Sequence, residues 1–212
     1  MLGYAAMNRT LRERDPPRRC NRDIRQTTWE REGIERVAAL TERNFEDLHA
    51  ILEWNLDHGI RFYRCSSTLV PWNSQFELPE LPNYDLPPRA RDRLVVENDD
   101  KASLWGVTEL VDAVSEVVEI PVTFDYHHHS FTSRGRSYRE GFAAARDTWG
   151  DVRPITHYSE PALLHGEPEA RPQDHAEHVA AVPDWLRERS DVMIESHGKE
   201  RSVLRLRDRA PA

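Results

Sequence analysis

What most constrains this chain is where its ionisable residues fall. Four short β-type runs, "RLVVEND" (93–99), "IPVTFDYHHH" (120–129), "PITHYS" (154–159) and "DVMIES" (191–196), each carry an acid or a histidine near their C-terminal end. Helical patterns separate them. "LWGVTELVDAVSEVVE" puts Val107, Leu110, Val111 and Val114 on one face, and Ser137 with Glu140 makes a capping-box pair ahead of "YREGFAAARDTW", which closes at Gly150. Strands alternating with helices predict an α/β fold with a parallel sheet, because parallel neighbours need a crossover connection. In a (β/α) barrel the C-terminal strand ends converge on one mouth, so the acids and histidines collect around a single point.

The first half follows the same order. "LGYAAM" (2–7) predicts a first strand, and "NFEDLHAILEWNLDHG" a helix with Phe45, Leu48, Ile51, Leu52 and Leu56 on one face and Gly59 as its C-cap. "IRFYRCSS" (60–67) predicts a second strand. Residues 68–93 then carry Pro71, Pro79, Pro82, Pro87 and Pro88 and read as a linker. Near the other end "HAEHVAAV" predicts a helix, "PDWLRERS" a Pro-broken stretch, and "DVMIES" the last element. The expectation is one domain over residues 1–212, with about six strands.

Composition removes several classes of function. No apolar run approaches the ~20 residues of a membrane span, so no membrane partner is expected. The start "MLGYAAMNRT" has neither a basic region nor a long apolar one, so no secretory leader is expected. Cys20 and Cys65 are too few for a disulfide framework, and a reducing cytoplasm is the expected compartment. The formal net charge is -8, and lysine occurs only at Lys101 and Lys199. A general electrostatic grip on nucleic acid is therefore excluded, and any DNA contact must be local.

The strand-end set has a definite chemistry. Glu97, Asp125, His128, His157 and Glu195 supply carboxylate and imidazole, the ligands of a divalent cation such as Mn²⁺, whereas the two cysteines lack the spacing of a zinc site. A lone strand-end Glu or His is ordinarily a satisfied polar group; five of them converging on one mouth favour a metal centre. Asp125 and His128 lie three apart, so both face the mouth if the strand ends near Tyr126 and the chain turns over, leaving His127 or His129 to point away.

Several of these segments, in order along the chain, are those of a known family. "LGYAAMN", "HGIRFYRCSS", "LVVENDDKASLW", "FDYHHHS", "HYSE" and "DVMIESHGKE" resemble motifs of the ultraviolet damage endonucleases of the UvdE/UvsE type. The resemblance implies a TIM-barrel-like fold of the xylose isomerase and endonuclease IV kind. It also implies incision of double-stranded DNA 5′ to UV photoproducts by metal-dependent hydrolysis, often with Mn²⁺. Residue by residue, it implies metal ligation by Glu97, Asp125, His128, His157 and Glu195, with His175 of "QDHAEHV" as an additional ligand. Glu97, Asp125, His157 and Glu195 would be the catalytic core, and Tyr4 and Asn8 would approach the damaged nucleotides. Arg134 and Arg136 of "SRGRS" are the expected phosphate contacts.

The resemblance also breaks. Two strand units of the family, each bearing a metal-binding His, are missing between "LPELPNYD" and "LPPRARDRLVVENDD", as though a block had been removed near Asp85 and Leu86. Six strands would leave the flanks of "FYRC" and "VVEN" open unless they pair again, and open edges invite self-association. Two other readings follow: a non-catalytic remnant that binds damaged DNA, and a xylose-isomerase-like sugar isomerase or epimerase, which the ordered motifs disfavour.

Overall fold

The computed structural model describes residues 1–4, 13, 92–102, 104–116 and 119–209, together with 64–65 and helical positions between 39 and 58. Among them are the strands β1 (Leu2–Tyr4), β2 (Arg64–Cys65), β3 (Leu94–Glu97), β4 (Val122–Asp125), β5 (Ile155–Tyr158) and β6 (Asp191–Ile194). The helices are α1 (Val107–Leu110), α2 (Tyr126–Thr132), α3 (Tyr138–Asp147), α4 (Asp184–Arg189) and α5 (Glu200–Arg209). Two compact units emerge: Met1–Ala6 with Val96–Ala212, and Met7–Val95.

The first unit is an α/β body built on a parallel sheet ordered β1-β6-β5-β4, with the Val96–Glu97 end of β3 alongside β4. All residues of β4 are buried, and Val122 and Phe124 alternate with Thr123 and Asp125. A strand covered on both faces needs apolar or hydrogen-bonded side chains throughout, so the buried acid at its end stands out. Register brings Asp125 level with His157, and His157 level with Met193, two residues before Glu195.

Helix α3 covers β4. The capping box expected from sequence is present: the Ser137 hydroxyl accepts from the Glu140 amide while Glu140 accepts from the Ser137 amide. Phe142 and Ala145 are buried, and the indole of Trp149 donates to the Val122 carbonyl at 2.8 Å. α1 runs on into a wider π turn over Val111–Ser115 and buries Val107, Leu110 and Val114, three of the residues assigned to its apolar face. Among the described residues no helix is long and apolar enough to cross a membrane.

Three expectations need correction. "HAEHVAAV" is not helical; its backbone hydrogen bonds go instead to distant segments, Ala176 N–H to Glu160 O at 2.9 Å and Val179 N–H to the Ser202 hydroxyl at 3.2 Å. "PDWLRERS" is not broken by its proline, because Pro183 sits at the N-cap of α4, where a missing N–H costs nothing. The chain also does not finish its regular structure with β6, since α5 follows and packs on β1.

In the second unit the described residues from 42 to 57 are helical, and Ile51 is buried. Here β2 pairs in parallel with the start of β3, Arg64 opposite Leu94 and Cys65 opposite Val95. The strands on either side of the Pro-rich segment thus pair with each other. The linker expected at 68–93 lies, apart from residues 92 and 93, outside the described residues, as does Asn8.

Candidate metal centre

The site lies within the first unit and is built from strand ends. Ligand atoms of Glu97, Asp125, His157 and Glu195 all fall within 4.8 Å of one another, and a second set, His128, His175 and Glu195, meets the same limit. Glu195 belongs to both. The Nδ1 of His157 is 2.8 Å from a Glu97 carboxylate oxygen and 3.3 Å from one of Glu195.

Local structure explains how Asp125 and His128 come to share the mouth. β4 ends at Asp125, whose Oδ1 accepts the His128 backbone N–H at 2.7 Å and so serves as the N-cap of α2. A helix therefore begins where the sequence pattern predicts strand and loop. Helical spacing leaves His128 at the cluster, with its Nδ1 3.7 Å from Glu97 and 4.0 Å from Asp125, while His127 is buried edge-to-face against His175 and His129 is buried on the α3 side. The His129 ring packs against α3, where a Cβ on Gly141 would stand 2.5 Å from it.

A fully buried asparagine locks this arrangement. Asn98 donates from Nδ2 to the Asp125 carbonyl at 3.0 Å and accepts the Asp125 N–H on Oδ1 at 2.8 Å. Its own carbonyl lies 2.9 Å from His128 Nδ1. The Nδ1 of His175 lies 2.6 Å from the Glu195 carbonyl. The His128 and His175 rings thus each donate Nδ1–H to a backbone carbonyl, which would leave Nε2 as the nitrogen to meet a cation once it gives up its proton. Sequence reasoning missed Asn98; the signal was a buried-type asparagine directly after a ligand in "VVEND".

The electrostatics are those of carboxylates crowded together. Full burial, with Glu97 and Glu195 adding to it, pushes the Asp125 carboxyl up to about 7, against the pull of His128 and His157. Burial works against charge on His157, yet Glu97 and Glu195 outweigh it and raise the ring to about 10. His128 likewise stands at about 9, its burial outweighed by Asp125 and Glu97. Protons on the imidazoles offset the carboxylate charge that a cation would otherwise neutralise.

Does a divalent cation fit these residues? The Oδ2 of Asp125 is buried with no hydrogen-bond partner, and such an atom costs about 1–3 kcal/mol or more unless something compensates it. The donors are oxygen and imidazole nitrogen without thiolate, which suits a hard or borderline divalent ion. The residues fit.

Of the other expected residues, Tyr4 ends β1 level with Ile194, one position before Glu195. Arg134 has a positive φ and forms an ion pair with Glu109. It also donates to the carbonyls of Ala102 at 2.9 Å and Leu104 at 2.6 Å. Arg136 donates to the Thr108 hydroxyl at 2.9 Å. Both arginines brace the start of α1 while remaining exposed.

The profile of the family described as UV-endonuclease UvdE matches residues 1–80 and 73–211. This chain belongs to that family. The two UvdE stretches overlap at residues 73–80, in the Pro-rich segment. The UV-damage endonuclease of Schizosaccharomyces pombe is 44% identical over 73 residues, 34% of this chain and 12% of that protein. The protein of the same name from Neurospora crassa is 34% identical over 127 residues, covering 55% and 19%. The UV DNA damage endonuclease of Bacillus cereus is 30% identical over 137 residues, covering 60% and 41%. The chain thus spans less than half the length of these curated relatives. Among solved structures, the crystal structure of SacUVDE superposes with a TM-score of 0.50 at 24% identity, over 96% of this chain and 95% of that one. The likeness is one of fold.

Proposed function

We propose that this chain is a metal-dependent endonuclease of DNA repair that cuts the strand 5′ to UV photoproducts. One observation carries the reading: Glu195 is common to both ligand sets, as expected of a carboxylate shared by two cations. Family membership supports a DNA substrate, which this reading takes to be double-stranded DNA carrying UV lesions. The parallel sheet with its acids at one end supports a TIM-barrel-like architecture, shortened by the missing units.

Bound divalent cations, Mn²⁺ in this reading, supply Lewis acidity, neutralising charge on a phosphodiester and making water more acidic. The chain's own residues do the rest. Glu97, Asp125, His157 and Glu195 would hold one cation; His128 and His175, oriented through Nδ1 by the Asn98 and Glu195 carbonyls, would complete a second set with Glu195. Asp125, fully buried, keeps its oxygens out of bulk water. Tyr4 and Asn8 are assigned to the damaged nucleotides, where a flat ring can stack on an unstacked base. Arg134 and Arg136 are assigned to phosphates. The cytoplasm is the assigned compartment.

A second reading, a damage-binding remnant without cleavage, is favoured by the two-stretch UvdE match and by the loss of two histidine motifs. Supercoiled plasmid, irradiated or not, separates the two. Relaxation of irradiated plasmid alone, with Mn²⁺ and not with chelator, supports the nuclease. Retarded but unrelaxed plasmid supports the remnant.

A further inference from the structure

His175 is the ligand with the least secondary structure behind it, because residues 171–182 form neither helix nor strand beyond one antiparallel bridge between Pro161 and His175. Backbone bonds from Ala162 N–H to the Asp174 carbonyl, and from His197 and Gly198 N–H to the Ala176 and Glu177 carbonyls, hold the segment beside His175, and Glu160, on the exit from β5, ties it at both ends. The backbone carbonyl of Glu160 accepts Ala176 N–H at 2.9 Å, next to His175. Its carboxylate reaches the far end of the segment and accepts Ala180 N–H at 2.9 Å and Ala181 N–H at 3.4 Å. The Tyr158 hydroxyl donates to it at 3.4 Å, and His165 Nε2 lies 2.6 Å from it. The side chain is only 16% exposed, while the Ala180 and Ala181 amides that donate to it lie at the surface.

We infer that Glu160 is a positioning residue for the second cation: its carboxylate fixes the 175–181 segment, and so decides whether His175 completes the set with His128 and Glu195. The logic is spatial. The first set, Glu97, Asp125, His157 and Glu195, sits on or directly after strand ends, and its tie to residues 171–182 runs through the Glu195 carbonyl, 2.6 Å from His175 Nδ1, not through the Glu160 carboxylate. The second set has one member on the irregular segment. Ala180 and Ala181 are exposed, so water can take over their N–H groups when the carboxylate is removed. Loss of Glu160 therefore loosens the segment without unfolding the chain, and affects one cation and not the other.

The inference rests on the two ligand sets holding cations, and its readout is metal binding rather than strand cleavage. Mn²⁺ titration of the full chain, followed by the electron paramagnetic resonance of free Mn²⁺ and by calorimetry, is compared for the wild type, Glu160→Ala and Glu160→Gln. The wild type is expected to bind two ions. Glu160→Ala is expected to keep the first affinity and weaken the second by about 10- to 100-fold, the range for loss of an outer-shell partner. Glu160→Gln, which retains acceptor oxygen, is expected to restore most of it. Equal affinities in Glu160→Ala and the wild type, parallel loss of both ions, or a wild type that binds fewer than two would each overturn the inference. Two ions bound with no cutting of damaged DNA would instead leave it standing and reject the nuclease reading.

Discussion

Asn98 and Asp125 exchange two hydrogen bonds, amide to carbonyl at 3.0 Å and backbone N–H to amide oxygen at 2.8 Å, at the point where β3 and β4 stop pairing. The asparagine side chain continues the ladder by imitation. That lets the chain leave β4 at once and start α2, which is what sets His128 beside Asp125.

Asn98→Ala leaves a buried N–H and a buried carbonyl of Asp125 without partners. At about 1–3 kcal/mol for each such group, the expected loss is about 2–6 kcal/mol, read from urea unfolding of the metal-free protein. Mn²⁺ affinity should fall about tenfold or more. Unchanged unfolding together with unchanged affinity would remove Asn98 from the support of the site.

Stability should run with pH in opposite directions without and with metal. The folded-state pKa of Asp125 is raised to about 7, and those of His128 and His157 to about 9 and about 10. A raised group stabilises fully below its unfolded value and loses that contribution as pH climbs through the folded one. The window is thus roughly pH 4 to 7 for Asp125 and from about 6.5 upward for the two histidines. The metal-free protein should lose thermal stability from pH 6 to pH 9. The stabilisation added by Mn²⁺ should grow over the same range, since the cation takes the place of protons. Melting curves with chelator and with Mn²⁺ check both slopes, and a metal-free Tm that rises with pH would contradict the proton-sharing cluster.

Gly141 faces the ring of His129, and a methyl group there would approach it to 2.5 Å. Gly141→Ala should cost about 1–3 kcal/mol, the usual range for overpacking a filled core. The displaced α2 should also weaken Mn²⁺ binding through His128. Thermal denaturation and a Mn²⁺ titration of the variant measure the two effects separately.

Arg134 and Arg136 can be told apart. Charge reversal at either should flatten the salt dependence of DNA binding by about one unit of slope for each phosphate no longer neutralised. Only the Arg134 change should also lower stability, because it abandons the Ala102 and Leu104 carbonyls as well as Glu109. The Glu109 ion pair is partly exposed and contributes at most about 1 kcal/mol. Glu109 is held below its usual range: burial pushes it up, but the Arg134 hydrogen bond and charge prevail. That contribution is present above the unfolded value and fades as pH falls through the folded one. An unchanged salt slope for both variants would take the pair out of the DNA interface.

The strand-end residues are legible in the sequence because a strand that must be apolar on both faces leaves an acid or histidine no place except its end. Glu97, Asp125 and His157 can be read in this way, as can Glu195, just beyond β6. The triple histidine is less legible: α2 starts only because Asp125 caps it, and three consecutive histidines carry no periodicity. "HAEHVAAV" has a helix-like pattern, yet bonds to Glu160 and Ser202, far away in sequence, override it. α5 escapes a sequence reading because four arginines among ten residues mask its apolar side, where Ser202 is buried. The pairing of Arg64–Cys65 with Leu94–Val95 depends on what the chain does across 66–93, which no local pattern encodes.

The most direct test of the account uses a duplex with one defined thymine dimer. It is incubated with the purified chain in Mn²⁺ or chelator, beside Glu195→Gln, and resolved on a denaturing gel. The account predicts a Mn²⁺-dependent nick 5′ to the dimer, absent with chelator and lost in Glu195→Gln. An intact strand from folded, Mn²⁺-loaded protein, or a nick that persists in Glu195→Gln, would contradict it.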